Sequence, residues 1–114
     1  MRDGLHITPE VLAAAYTFLR ATRPFCRWKL PPAEMVKFKV TNSTTEAGYC
    51  KGVEEIGVSR ACSAHTASML ATMSHEMIHL HLNAKGVRAH HGSDFLRAAA
   101  QVSKEHGFDC RRYF

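Results

Sequence analysis

The chain has 114 residues, of which 46% are hydrophobic and 22% are charged, with a formal net charge of +5 at pH 7. This length suits one domain with one core and is too short for a catalytic domain plus a separate binding module, so we expect residues 1–114 to form a single domain. The composition excludes a mainly disordered chain, and no apolar run resembles a signal peptide or a membrane span. We therefore expect a cytoplasmic protein without membrane contact, whose oligomeric state the sequence does not indicate.

The first predicted element is a helix in "TPEVLAAAYTFLRAT", residues 8–22. Thr8 is expected to cap its N-terminus, and Pro9 occupies the first helical position, where the missing N–H costs nothing. A proline-rich connection follows, with a short helical turn expected from Pro32 to Met35.

The hydrophobic period then changes to two. In "VKFKV", residues 36–40, apolar side chains alternate with lysines, which is typical of a half-buried strand. The segments "GYCKG" (48–52) and "EIGVSR" (55–60) predict two more strands, separated by turn-forming residues. Together these segments predict a small three-stranded sheet.

Two further helices follow the strands. No proline or glycine interrupts Ser63 to Lys85, so one long helix is predicted there, ending at Gly86. The last helix, in "SDFLRAAAQVSKEHG", is expected to have Ser93 as its N-cap and to stop at Gly107. The side chains expected to face the core are Phe95, Leu96, Ala99 and Val102. The order of the elements predicts an α+β domain.

The four cysteines contain no Cys-x-x-Cys pair, so neither a zinc ribbon nor a redox motif is indicated. Without a secretion signal we expect all of them to be reduced, and mostly buried, thiols.

Chemistry is concentrated between Met73 and Phe95, which contain five of the eight histidines. His75-Glu76-Met77-Ile78-His79 is a His-Glu-x-x-His pattern. Four residues advance a helix by about 400°, so the two imidazoles stand one turn apart on one face and suit two ligands of one zinc ion. Glu76 lies beside that face, where a carboxylate can act as general base toward an activated water. His81 lies about 240° from His75 around the helix and is interpreted as a packing or surface residue.

A zinc site of this type needs a third protein ligand. Within reach downstream are His90, His91 and Asp94. Leu82 and Lys85 stand where a metzincin needs glycine and histidine, which excludes that family. Glu105 is the one downstream glutamate a gluzincin would use, and it lies too near the end of the last helix.

From the helix to "HGSDF" the chain resembles the SprT-like zinc metallopeptidases, the zincin-like family that includes the DNA–protein crosslink protease Spartan. The upstream "AGYCKGVEEIGVSRA" is similar to the strand region of that family, and the resemblance covers residues 8–105. It implies a small sheet packed on an active-site helix, with helices at both ends of the domain. It also implies that His75, His79 and His91 bind one catalytic zinc ion and that Glu76 is the catalytic base. Many family members continue into a zinc ribbon or DNA-binding tail, which we do not expect here.

Local structure also favours His91 over the other two candidates. Asp94 already has a role in the positively polarised first turn of the last helix. His91 is followed by Gly92, which allows the backbone to turn so that the imidazole faces the metal.

The sequence therefore predicts a zinc metalloendopeptidase that binds extended peptides along an edge of the sheet. The resemblance implies that its substrates include proteins on DNA. The basic charge is compatible with sequence-independent DNA binding, and equally with a solvated basic surface. The residues nominated for phosphate contact are Arg23, Arg27, Arg111 and Arg112.

Two other functions remain open at this point. The first is a non-catalytic, zinc-stabilised module that binds nucleic acid, which would be favoured by a fourth ligand such as Cys50 or Cys62. The second is a metal-free helical packing domain.

Overall fold

A computed structural model describes residues 6–63, 65–87, 91–107 and 109–110. Its elements, in chain order, are α1 (Pro9–Arg20), two 3₁₀ turns (Phe25–Arg27 and Ala33–Met35), β1 (Lys37–Thr41), β2 (Gly48–Lys51), β3 (Glu55–Ser59), α2 (Thr66–Ala84) and α3 (Ser93–His106). The α+β class and the predicted order of elements are confirmed. In the described part of the chain, no helix has the length and apolarity needed to cross a membrane.

Helix α1 begins as the sequence predicts. The Thr8 hydroxyl accepts a hydrogen bond from the backbone N–H of Val11 at 3.1 Å, and the helix starts at the proline that follows Thr8. Its buried face includes Leu12, Tyr16 and Leu19, which pack into the core that α1 shares with β1 and α2.

The sheet is mixed, with strand order β1-β3-β2. The central strand β3 pairs in parallel with β1 and antiparallel with β2, and its Ile56 and Val58 are buried. Strand β1 shows the predicted alternation, with Phe38 and Val40 half-buried and the lysines exposed. Strand β2 is an edge strand, and it packs against α2.

Helix α2 starts at Thr66 rather than at Ser63, so its predicted start was three residues early. The cause is local hydrogen bonding. His65 has an extended backbone and serves as the N-cap, and its N–H donates to the hydroxyl of Ser68 at 3.3 Å. The Ser63 hydroxyl instead bonds with Thr72 at 3.1 Å in the interior.

Helix α3 also corrects two predictions. Its N-cap is Gly92, and Ser93 is the first helical residue. Leu96 is 45% exposed, although it was expected to face inward. Phe95, Ala99 and Val102 are buried as predicted, and Leu96 lies about 100° around the helix from Phe95, at the margin of that face.

None of the four cysteines forms a disulfide. The expectation that most are buried was wrong, because Cys26 and Cys62 are exposed, Cys50 is half-buried and only Cys110 is buried. Both exposed cysteines lie in turns at the surface, one in the first 3₁₀ turn and one after β3.

Candidate metal centre

The centre forms where α2 emerges from the core. Residues 71–78 of the helix are buried, and beyond them its exposure increases. His75 is fully buried and His79 is half-buried, with their ring centroids 4.9 Å apart. The two histidines of the His-Glu-x-x-His pattern therefore share one helix face, as the spacing predicts.

A third histidine, His91, comes from the segment that precedes α3. Its Nε2 atom is 3.1 Å from Nε2 of His75 and 3.2 Å from Nε2 of His79, and the latter two atoms are 3.2 Å apart. Two nitrogens that each bind one tetrahedral zinc ion at about 2.0–2.1 Å lie about 3.3–3.4 Å from each other. The three nitrogens thus form a nearly equilateral triangle of the size that such an ion requires.

A hydrogen bond on the side of the ring away from the triangle fixes the tautomer of His75. Its Nδ1–H donates to the backbone carbonyl of Cys110 at 2.5 Å, so its Nε2 carries the lone pair that points into the triangle. Burial lowers the pKa of His75 to about 4; the carbonyl of Cys110 opposes the shift, and the neighbouring His79 and His91 add to it. Near neutral pH this imidazole is therefore uncharged, as a metal ligand must be.

The aromatic ring of Phe95 packs against all three histidine rings. Its centroid lies 4.7 Å from those of His75 and His79 and 4.9 Å from that of His91. The sequence predicts that Phe95 is buried but not this contact. The available signal was its place in the His-Gly-x-x-Phe segment.

Glu76 is buried on α2 next to His75, with 1% of its surface exposed. Burial, with the carboxylate of Glu46 as a second cause, raises the pKa of its carboxyl group to about 8. A cation close to the carboxylate would favour its charged form. Edge strand β2 passes close by, since a Cβ atom added at Gly48 would lie 3.1 Å from Oε2 of Glu76.

The cysteines proposed as a fourth ligand do not join the described histidine cluster. Cys62 is exposed, and its thiol donates to the carbonyl of Ser43 at 3.4 Å. Burial, with the Glu76 carboxylate as a further cause, raises the pKa of Cys50 to about 12, so it is a neutral thiol in the metal-free protein.

The other candidate ligands have different surroundings. Asp94 forms an ion pair with Arg97 at 3.0 Å, within the first turn of α3. His81 stacks on Trp28 with ring centroids 4.3 Å apart, which confirms a packing role. His90 lies outside the described residues.

Two of the four nominated arginines can be placed. Arg23 and Arg27 are exposed and line open cavities beside α3. Arg111 and Arg112 lie outside the described residues.

The fold and the histidine cluster define a class of protein, a small α+β domain with a candidate metal-binding site built on a His-Glu-x-x-His helix. Within that class, the family model described as SprT-like family matches residues 15–113, and the chain belongs to this family. Membership implies a metallopeptidase-type domain. Among curated proteins and among solved structures, no match to the chain was found.

Proposed function

We propose that the protein is a zinc-dependent endopeptidase of the cytoplasm. The observation that carries the proposal is the convergence of three imidazole Nε2 atoms 3.1–3.2 Å apart, next to a buried glutamate. Three nitrogen donors at these separations suit zinc, and three protein ligands leave a coordination position for the reaction.

Bound zinc supplies Lewis acidity, which lowers the pKa of water and polarises a carbonyl group. Residues of the chain transfer the protons and orient the ligands. The Glu76 carboxylate accepts a proton as the water oxygen bonds to the carbonyl carbon of the substrate. Glu76 then returns this proton to the amide nitrogen as the C–N bond breaks, releasing a carboxylic acid and an amine. The Cys110 carbonyl keeps the His75 ring oriented, with the lone pair of Nε2 directed into the triangle.

Edge strand β2 is proposed to bind the substrate. It is the last strand in the order β1-β3-β2 and packs directly against α2, the helix that carries Glu76. An extended peptide added to its outer edge would form backbone hydrogen bonds, which tolerate many sequences. This arrangement supports cleavage within unfolded or extended segments of proteins.

The Glu76→Gln variant tests the catalytic assignment. It should bind about one zinc ion per chain, as the wild type does, and it should lose cleavage of a reduced and alkylated protein because an amide cannot accept the water proton. Zinc is measured by elemental analysis and cleavage by mass spectrometry of the fragments. A His79→Ala control should lose both zinc and cleavage. Wild-type rates in Glu76→Gln would reject the proposal.

We also propose that the substrates include proteins associated with nucleic acid. The chain has a net charge of +5. Arg23 and Arg27, two of the arginines predicted to contact phosphates, are exposed beside open cavities. A non-catalytic zinc module is less well supported, because the described cluster contains three histidines and no cysteine, and a closed structural site uses four protein ligands.

A further inference from the structure

Strand β2 lies lengthwise along helix α2, and contacts near its two ends show its direction. At the first residue of the strand, a Cβ atom added to Gly48 would lie 2.9 Å from Cγ2 of Thr72 and 3.1 Å from Oε2 of Glu76. In the turn after the strand, the carbonyl of Gly52 accepts a hydrogen bond from Nδ2 of Asn83 at 2.8 Å. Between these contacts the helix rises about 11–16 Å and the strand about 13 Å, so the two elements run side by side in the same direction.

Asn83 contacts the strand as well as the turn. Its Nδ2 atom lies 3.8 Å from Sγ of Cys50, which is in β2, and the Cys50 thiol donates to the same Gly52 carbonyl at 3.4 Å. Gly52 has a φ of 56°, a backbone conformation that glycine adopts without strain in tight turns. We call these three residues, Cys50, Gly52 and Asn83, the turn clamp. The turn clamp joins the last turn of α2 to the end of the edge strand.

The turn clamp lies on the helix face that carries the candidate site. At about 100° per residue, Asn83 lies about 20° from Glu76 and about 40° from His79 around the helix axis, between the two. It also lies about 6 Å beyond His79 along the axis. This position is in the last turn of α2, which ends at Ala84. The turn clamp therefore holds β2 beside the face on which the metal ligands and the glutamate lie.

The residue type at position 83 also indicates a specific contact. Asn83 is exposed and lies inside a helix, where asparagine is less favourable than alanine, leucine or lysine because its amide competes with backbone hydrogen bonds. Helix propensity therefore does not explain this residue, whereas the hydrogen bond to Gly52 does. The turn needs such a contact, because residues 51–54 are all exposed and so have little buried surface to hold them.

We infer that Asn83 is a positioning residue of the candidate peptidase, which keeps β2 aligned with α2 so that a peptide paired with this strand lies across the metal centre. Asn83 acts through β2 rather than by contact with the substrate. A peptide that adds to an edge strand takes its position from that strand, so a small rotation of β2 would displace the scissile bond from Glu76. This inference rests on the proposed function, because it names a residue that aligns the substrate in the arrangement proposed there.

The test compares Asn83→Leu with Asn83→Gln. Leucine has nearly the size and shape of asparagine and is the better helix former, but it cannot donate a hydrogen bond. Glutamine keeps the amide donor on a longer side chain and should restore most of the alignment. Gln101→Leu is the matched control, since it removes an exposed amide from α3. All three variants should bind zinc within about two-fold of wild type and keep Tm within about 3 °C.

Amide hydrogen exchange reports the position of β2 without any substrate. In Asn83→Leu, exchange in residues 48–54 should become about three- to ten-fold faster, because the strand opens more often once the turn clamp is lost. Exchange in the buried part of α2, residues 71–78, should not change. Asn83→Gln and Gln101→Leu should both exchange close to the wild-type rate.

Steady-state kinetics test whether this alignment serves the substrate. The substrate is a peptide of about ten residues that spans a bond cleaved in the reduced and alkylated protein. Asn83→Leu should raise KM about three- to ten-fold and change kcat by less than about two-fold, because substrate binding weakens while the zinc ligands and Glu76 stay in place. A residue with only a structural role would instead leave KM unchanged in the folded protein. Asn83→Gln should recover most of the loss.

Three results would overturn the inference: wild-type exchange of residues 48–54 in Asn83→Leu, a KM within about two-fold of wild type, or an equal rise in KM in Gln101→Leu. A loss of zinc affinity as large as the rise in KM would also contradict it, because Asn83 would then act on the metal centre itself. Failure of the proposed function gives a different result. In that case the wild type would cleave no protein while exchange in residues 48–54 still depended on Asn83, so the turn clamp would remain and its substrate role would be withdrawn.

Discussion

The histidine centre has a buried half and an exposed half. His75 is fully buried, donates to the Cys110 carbonyl and packs on Phe95, whereas His91 is exposed at the surface ahead of α3. The buried half is therefore part of the hydrophobic core as well as of the site. Removing a ligand from either half should therefore weaken metal binding, but only removal of the buried ligand should also lower protein stability.

The largest predicted effect tests that difference directly. His75→Ala should abolish zinc binding and also destabilise the metal-free protein by about 2–5 kcal/mol, because it leaves a cavity in the core. His91→Ala should weaken zinc binding by about 100-fold or more, yet change metal-free stability by no more than about 0.5 kcal/mol. Zinc competition titrations and urea unfolding in chelator measure the two quantities.

Asp94→Asn is the control for this pair. It removes the other described candidate ligand close to His91 and should keep stoichiometric zinc, since its carboxylate binds Arg97 instead. If His91→Ala retained wild-type zinc affinity, the division of the centre into two halves would be wrong.

The second prediction concerns the ring on which all three histidines pack. Phe95→Leu should lower stability by about 1–2 kcal/mol and zinc affinity by about ten-fold, because the imidazoles lose the surface that orients them. Phe25→Leu is the matched control, since Phe25 is equally buried but contacts Trp28 and His106 rather than the centre. A similar stability loss in both variants, with zinc affinity reduced only in Phe95→Leu, is expected.

The zinc affinities of the two variants decide whether Phe95 acts through its contacts with the three histidines. If Phe25→Leu reduced zinc affinity as much as Phe95→Leu, the effect would come from general loosening of the core.

The third prediction concerns the contact of β2 with the buried half of α2. A Cβ atom at Gly48 would lie 2.7 Å from the Gly57 carbonyl and 2.9 Å from Cγ2 of Thr72, as well as 3.1 Å from Glu76 Oε2. Gly48→Ala should therefore cost about 1–3 kcal/mol and lower peptidase turnover while zinc is retained. Gly52→Ala meets no atom within 4 Å and should cost about 1–2 kcal/mol, through its positive φ alone. Turnover at wild-type level in folded Gly48→Ala would remove the link between β2 and Glu76.

Regular local patterns made much of the fold predictable. The period-two segment at β1 and the cap of α1 depend on neighbouring residues, and the structure has both. The start of α2 was missed because a hydrogen bond between Ser63 and Thr72 in the interior has no local signal. Leu96 was misplaced for a similar reason, since periodicity does not fix where a buried face ends.

The candidate site also has features that local sequence patterns predict and features that they do not. Helical spacing is enough to pair His75 with His79, whereas the choice of His91 needed the family resemblance as well as local structure. The Cys110 carbonyl could not be predicted, because every residue has a backbone carbonyl and this one comes from 35 residues away. The buried state of Glu76 was equally hidden, since it depends on β2 lying against α2.

The smallest predicted effect concerns the edge strand β2, which is more exposed than the buried half of the histidine centre. The Tyr49 hydroxyl donates to Oε2 of Glu55 at 2.5 Å, which lowers the pKa of Glu55 below its usual 4.5, with lysine charges adding to the shift. Burial and Glu55 raise the pKa of Tyr49 to about 12, so the phenol remains a donor throughout the acid and neutral range. Because the folded-state pKa of Glu55 is the lower one, its stabilising contribution is present above pH 4.5 and is lost as pH falls through the folded-state value. Tyr49→Phe should therefore lower Tm by about 2 °C or less at pH 7, and this difference in Tm from the wild type should disappear toward pH 3.

Tyr16→Phe is the control. Its hydroxyl donates to the carbonyl of Pro31, which does not titrate, so the loss in Tm should be the same at both pH values. A Tyr49→Phe gap that stayed constant with pH would mean that the contribution of Tyr49 to stability comes from its ring, which covers Gly57, and not from its hydrogen bond to Glu55.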